Sequence, residues 1–164
     1  MVFALAVVLT VLGMLVPMSK QEAATISNDV NNTLNSLQAI GGLSLTSYIF
    51  GNNFMICLIM FIPIAGPIFG FIVLFNSGTA LSAIAITQGF PPWLALVAEF
   101  LTPVFWLEFA AYSTAISGSI WLLRRSMQHR GKHELRNTSL LVTICAAILL
   151  IGAIVETAII ALAA

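Results

Sequence analysis

The chain has 164 residues, of which 60% are hydrophobic and only 7% charged, and its six basic and six acidic side chains leave no formal net charge. Soluble domains carry about 25% charged residues, so this composition, with a mean hydropathy of +1.05, is that of an integral membrane protein. It leaves room for about five spans of ~20 residues and for no separate soluble catalytic head.

Residues 1–17 open with an apolar run from Val2 to Val16. At ~15 residues it lies between a signal-peptide core and a short span. With no small-residue cleavage site after Pro17, it reads as a retained signal-anchor helix whose amino terminus is inside. Ser19-Lys20-Gln21-Glu22 is a capping-box pattern, in which serine caps the first turn and glutamate reaches back to the serine amide. A helix is therefore expected over 19–42, stopped by Gly41-Gly42. Its apolar residues Ala23, Ile26, Val30, Thr33, Leu37 and Ile40 recur at heptad spacing among asparagines, which makes it amphipathic and external. Ile26, Val30, Leu37 and Ile40 are its candidate partner-docking residues; the alternative is that the same seam lies on the protein's own membrane domain.

Residues 48–123 hold the core helices. Tyr48 to Ile64 is a span broken by Pro63-Ile64-Ala65-Gly66-Pro67, which no straight helix tolerates. Ile68 to Thr87 returns, and Gly89-Phe90-Pro91-Pro92-Trp93 turns the chain at an interface suited to tryptophan. Trp93 to Leu123 is too long for one straight span, since ~31 residues rise about 46 Å against a ~30 Å core; Pro103 is expected to kink or split it. Gly66 with Gly70, and the small residues Ala111, Ala115 and Ser119, suit close helix packing. Five of the six basic residues, Arg124, Arg125, Arg130, Lys132 and Arg136, fall in 124–136. This stretch reads as a cytoplasmic loop by the positive-inside rule and as a weak contact for anionic lipid. Residues 137–164 supply the last helix. The expected fold is thus all-α: a single polytopic transmembrane bundle with about five spans, broken helices near Pro63/Pro67 and Pro103, and one extramembrane amphipathic helix.

Glu99, Glu108 and Glu156 are the charged residues expected inside the bilayer. Each costs at least ~2.5 kcal/mol at mid-depth as an ion, so each needs a proton, a cation, a polar cavity or a partner. The plain expectation is a neutral acid hydrogen-bonded to a carbonyl or to Asn76. A proton or cation relay and a basic group on another subunit are the alternatives. Glu108 has Phe105, Trp106, Leu107 and Phe109 beside it in sequence, a lining that would exclude water, and Tyr112 follows one helical turn later within hydrogen-bond reach. Cys57 and Cys145 lie in apolar segments and behave as small hydrophobes. His129 and His133 have i, i+4 spacing but lack further ligands of the usual type. No cofactor motif, nucleophile with its base, or nucleic-acid patch is present.

Asn52-Asn53 in the second span, Gly66-x3-Gly70, Asn76, Pro103-x4-Glu108 and Glu156 together resemble the integral membrane family of the stage II sporulation protein M. The family's Pro-His-Gly-x-x-Glu motif is matched at Pro103 and Glu108, with Val104 and Phe105 in place of the histidine and glycine. The resemblance implies a polytopic scaffold, with Glu108 and Glu156 among the family's polar positions. The expected function is accordingly a non-enzymatic membrane scaffold or accessory subunit of a larger complex. The alternatives are a small proton- or cation-coupled transporter or translocase component and an accessory subunit of a membrane-bound oxidoreductase. Expected partners are the lipid bilayer and other membrane subunits, with homo-oligomerisation left open and no nucleic acid.

Overall fold

A computed structural model describes the backbone of residues 1–38, 42–128 and 131–163, and the side chains of these except 37, 38, 131–135 and 163. The described residues form seven helices: α1 (Val2–Met14), α2 (Lys20–Gln38), α3 (Gly42–Met60), α4 (Ala65–Gln88), α5 (Pro92–Leu101), α6 (Pro103–Met127) and α7 (Gly131–Ala163). No strand occurs among them. Three helices, α3, α4 and α7, are long and apolar enough to cross a membrane, and the bent pair α5–α6 makes a fourth candidate. Helix α1 has 13 residues, a rise of about 20 Å, and falls short of a ~30 Å hydrocarbon core. The fifth expected span is therefore an apolar helix too short to cross by length alone. Bulky side chains such as Ile68, Ile72, Ile144, Ile151 and Ile154 point outward, as they do where the solvent is lipid.

Each break has a local cause. Between α3 and α4 the chain makes a γ-turn in which the Ala65 N–H donates to the Pro63 carbonyl at 2.9 Å. Ile64 sits at φ 69°, a rare and strained conformation for a β-branched residue. The turn is held from α6, because Ser119 Oγ donates to the Ile62 carbonyl at 2.9 Å. Gly66 follows where a Cβ would meet the Met60 carbonyl. Pro67 does not break anything: it lies in the first turn of α4, where no intrahelical donor is missed. Between α5 and α6, Pro103 pushes Thr102 into an extended conformation, and the axes bend by 85°. Thr102 serves both ends, donating to the Glu99 carbonyl and accepting from the Phe105 N–H.

The bundle is tightest where backbones touch. Helix α1 lies along α4, with Gly13 against the Phe75 carbonyl and Gly78 against the Thr10 carbonyl. Thr10 and Thr79 each donate across that contact, to the carbonyls of Leu74 and Gly13. Ala111 and Ala115 are fully buried, with Ser119, on the inner face of α6, as small residues at an intramembrane interface are expected to be.

Two expected segments differ. The basic stretch is largely helical: α6 runs to Met127 and α7 begins at Gly131, so a 124–136 loop is not what forms. Gly42 starts α3 instead of ending α2. The capping box does form: the Ser19 N–H donates to Glu22 Oε2 at 2.9 Å and the Glu22 N–H to Ser19 Oγ at 3.2 Å. Those bonds, the Ser19 amide first, hold the Glu22 carboxyl below its ordinary range. Helix α2 lies on the protein's own bundle through Ala23 and Ser27, both buried, and Thr87 Oγ1 donates to Ser27 Oγ at 3.1 Å. The buried seam is thus 23 and 27, a turn apart, while Ile26 and Val30 are half-buried at its flanks. Ile40 and the side chain of Leu37 lie outside the described residues.

Candidate functional site

The acids converge between α3, α6 and α7. Helices α3 and α7 are fastened by Thr46 Oγ1, which donates to Thr157 Oγ1 at 2.9 Å, and by Leu45, Ile49 and Ala153 packed together. This contact sets Glu156, next to Thr157, facing α3. Two turns on from Thr46, Asn53 lies on the same face of α3. Helix α6 closes the third side: the Cys145 thiol of α7 donates to the Ala111 carbonyl, and Leu107 lies beside Gly152 of α7. Glu108 then meets Asn53, whose Nδ2 donates to Glu108 Oε1 at 2.6 Å across 55 residues of sequence.

A cavity of about 150 Å³ lies here, lined by polar groups from Tyr48, Asn52, Asn53, Glu108 and Glu156, with Leu34 of α2 at its edge. That volume has room for several waters. Glu108, Glu156 and Asn53 are half-buried, whereas Asn52 and Tyr48 are exposed. Glu99, on α5, is half-buried and close enough to Glu108 and Glu156 to interact with both electrostatically. The cavity wall has no lysine or arginine among its described residues. Chemically the arrangement offers carboxyl and amide oxygens to a proton, a small cation or a donor on another chain, and an amide donor to the carboxyls.

Several expected partners are placed elsewhere. Asn76 is exposed on α4 and is not part of this cavity; Asn53 does what was expected of it. Tyr112 is buried one turn beyond Glu108, but among the described residues its hydroxyl makes no hydrogen bond to Glu108, which is held by Asn53 instead. The aromatic neighbours in sequence do not line the acid. Phe105, Trp106 and Phe109 make stacked and edge-on contacts with one another, Phe3 and Phe100 around another flank of α6, because successive helical residues point 100° apart. Glu108 therefore faces a polar cavity, not a dry aromatic lining. No group of three or more His, Cys, Asp or Glu side chains among the described residues is arranged to hold a metal ion. His129 and the side chain of His133 lie outside the described residues.

Comparison with protein-family models, with curated proteins and with solved structures finds no match to this chain.

Proposed function

We propose that the protein is a non-enzymatic integral membrane scaffold or accessory subunit of the stage II sporulation protein M type, in which Glu108 is the polar anchor that fastens the bent α5–α6 segment to α3. The observation that carries this reading is the Asn53–Glu108 hydrogen bond. It links two helices far apart in sequence, through polar groups for which lipid offers no hydrogen-bond partner. Other interhelical polar contacts, among them Thr46–Thr157, Thr10–Leu74, Thr79–Gly13, Ser119–Ile62, Thr87–Ser27 and Cys145–Ala111, are likewise fasteners. In this reading the Arg124/Arg125 end faces the cytoplasm, as does the amino terminus, and α2 lies outside. Support comes from the arginines at one end of the bundle and the polar α2 at the other.

A second reading is favoured by the Glu108–Glu156 cavity: two carboxyls sharing a polar space whose described lining has no lysine or arginine suit a proton or a monovalent cation, as in a transporter or translocase component. Native purification with identification of co-purifying chains separates the two. The scaffold reading expects stable partner subunits that Glu108→Gln retains and Glu108→Ala loses. A protein that purifies alone and moves protons or cations in liposomes overturns it.

A further inference from the structure

The cavity that holds Glu108 and Glu156 is polar inside and apolar at one end. Its lining runs along α3 from Leu45 through Ile49 to Asn53, and along α7 from Ile160 to Glu156. Asn53 and Glu156 therefore lie about two turns and one turn inside a rim made by Leu45 and Ile160. Leu34 of α2 completes that rim. Two of its sides are fixed, because Leu45 and Ile49 pack with Ala153 and Ile160 in one cluster and the Thr46–Thr157 bond ties α3 to α7 at the same level. The α2 side is fastened only at a distance. Helix α2 is held at its start by the Ser19–Glu22 cap, by the burial of Ala23 and Ser27, and by the Thr87–Ser27 bond. Beyond Val30 every side chain from Asn31 to Ser36 is exposed. Asn31, Asn32, Thr33, Asn35 and Ser36 are weak helix formers, and the bonds that Thr33 and Ser36 donate go to carbonyls of α2 itself. A polar groove of about 670 Å³ runs beside this half of the helix, at Asn28 and Asn31. Leu34, 38% exposed, is the one apolar side chain of the stretch and the one residue of α2 in the described lining of the acid cavity. A segment with few buried contacts opens at lower free energy than the anchored helix it continues.

We propose that residues 31–36 of α2 form a lid on the acid cavity. With these turns wound, Leu34 narrows an apolar rim that restricts the passage of water and small ions to Glu108 and Glu156. Unwinding of the same turns, with the Ala23–Ser27 seam still in place, lifts Leu34 away and admits them. An apolar constriction leading to a polar space is a barrier to ions through dewetting, and removing one member of a narrow rim lowers it. The lid goes beyond the scaffold reading and holds whether Glu108 fastens helices or exchanges a proton, because it governs access alone.

The test is the rate at which a cysteine in the cavity wall, Ile49→Cys, reacts with a compact cationic methanethiosulfonate in lipid nanodiscs. The wild-type chain, whose Cys57 and Cys145 are buried, serves as the blank. Adding Leu34→Ala removes the narrowing side chain and should raise the rate several-fold. Adding Asn32→Ala with Asn35→Ala, at exposed positions outside the lining, leaves the rim as it is but strengthens the helix, and should lower the rate by up to about tenfold. An unchanged rate in Leu34→Ala overturns the proposal, and so does an unchanged rate in the paired alanine variant, which would make the rim static. If the Ile49→Cys chain does not fold, hydrogen exchange on the chain without it decides. Amides of residues 31–36 should be at least about tenfold less protected than those of 24–27, and the alanine pair should slow the former alone. Equal protection of the two halves overturns the lid. Partner retention by the Glu108 variants is read separately, so failure of the lid and failure of the scaffold reading are told apart.

Discussion

The Asn53–Glu108 contact can be weighed by a double-mutant cycle of Asn53→Ala and Glu108→Ala. The bond is short, 2.6 Å, and both residues are half-buried, so water replaces either partner only in part. Interhelical polar contacts in membrane proteins contribute about 0.6–2 kcal/mol, and the upper half of that range fits a carboxyl acceptor at this distance. Each single variant is therefore expected to lose about 1–2 kcal/mol. The double variant should lose less than the sum by a coupling of about 1 kcal/mol, a factor of roughly five in the unfolding equilibrium. Glu108→Gln keeps an oxygen for Asn53 and should retain most of the stability. Reversible unfolding by a denaturing detergent, followed by circular dichroism, gives the four free energies. Coupling below about 0.3 kcal/mol, the level at which distant sites simply add, would refute the anchoring role.

Three further outcomes test other parts of the fold. Gly78→Ala places a Cβ on the Thr10 carbonyl and should cost about 1–3 kcal/mol by forcing α1 and α4 apart. Gly51→Ala, where a Cβ meets nothing within 4 Å, should instead gain up to about 1 kcal/mol from helix propensity; equal effects at the two sites would contradict the α1–α4 packing. Cys57 on α3 and Cys145 on α7 are free and buried, and both belong to the same packed core cluster. A membrane-permeant oxidant should link them within one chain, seen as a mobility shift on a non-reducing gel that Cys57→Ala abolishes; only intermolecular dimers would count against the α3–α7 arrangement. At the start of α2, the Glu22 carboxyl is held low by Ser19, so its capping contribution is present above the ordinary glutamate range and fades as pH falls through the lowered value. Protection of the Ser19 amide, measured against its intrinsic exchange rate, should therefore fall as pH drops below the ordinary glutamate range, and Glu22→Gln should remove that pH dependence.

What the sequence made legible was what neighbouring residues decide. Thr102-Pro103 breaks a helix by its own stereochemistry, Ser19 and Glu22 cap by their spacing, and the long apolar runs of α3, α4 and α7 need no tertiary information. The partner of Glu108 was a different kind of question. Asn53 and Asn76 are both asparagines inside apolar helices, and only the azimuth of α3, fixed by Thr46–Thr157 and by the Ile49–Ala153 contact, turns one of them toward the acid and leaves the other exposed. On α6 the helical step separates near neighbours in the same way: Phe105 and Phe109 pack against Phe100 and Phe3, while Glu108 faces a polar space. Helix α2 taught a similar lesson: the heptad reading held both Ala23 and Ile26, and it is Ala23, with Ser27 a turn on, that is buried, while Ile26 is half-buried. The helical course of the basic stretch was hidden by Gly131, which reads as a loop residue and in fact begins α7.

Whether Glu108 joins helices or carries protons is tested most directly by ion flux in liposomes containing the purified protein, wild type beside Glu108→Gln. If the acid is an anchor, neither protein collapses an imposed proton or sodium gradient faster than empty liposomes, and the glutamine variant unfolds at a denaturant concentration close to wild type. A wild-type flux that Glu108→Gln abolishes while its stability is unchanged would contradict the anchor and assign the Glu108–Glu156 cavity to conduction.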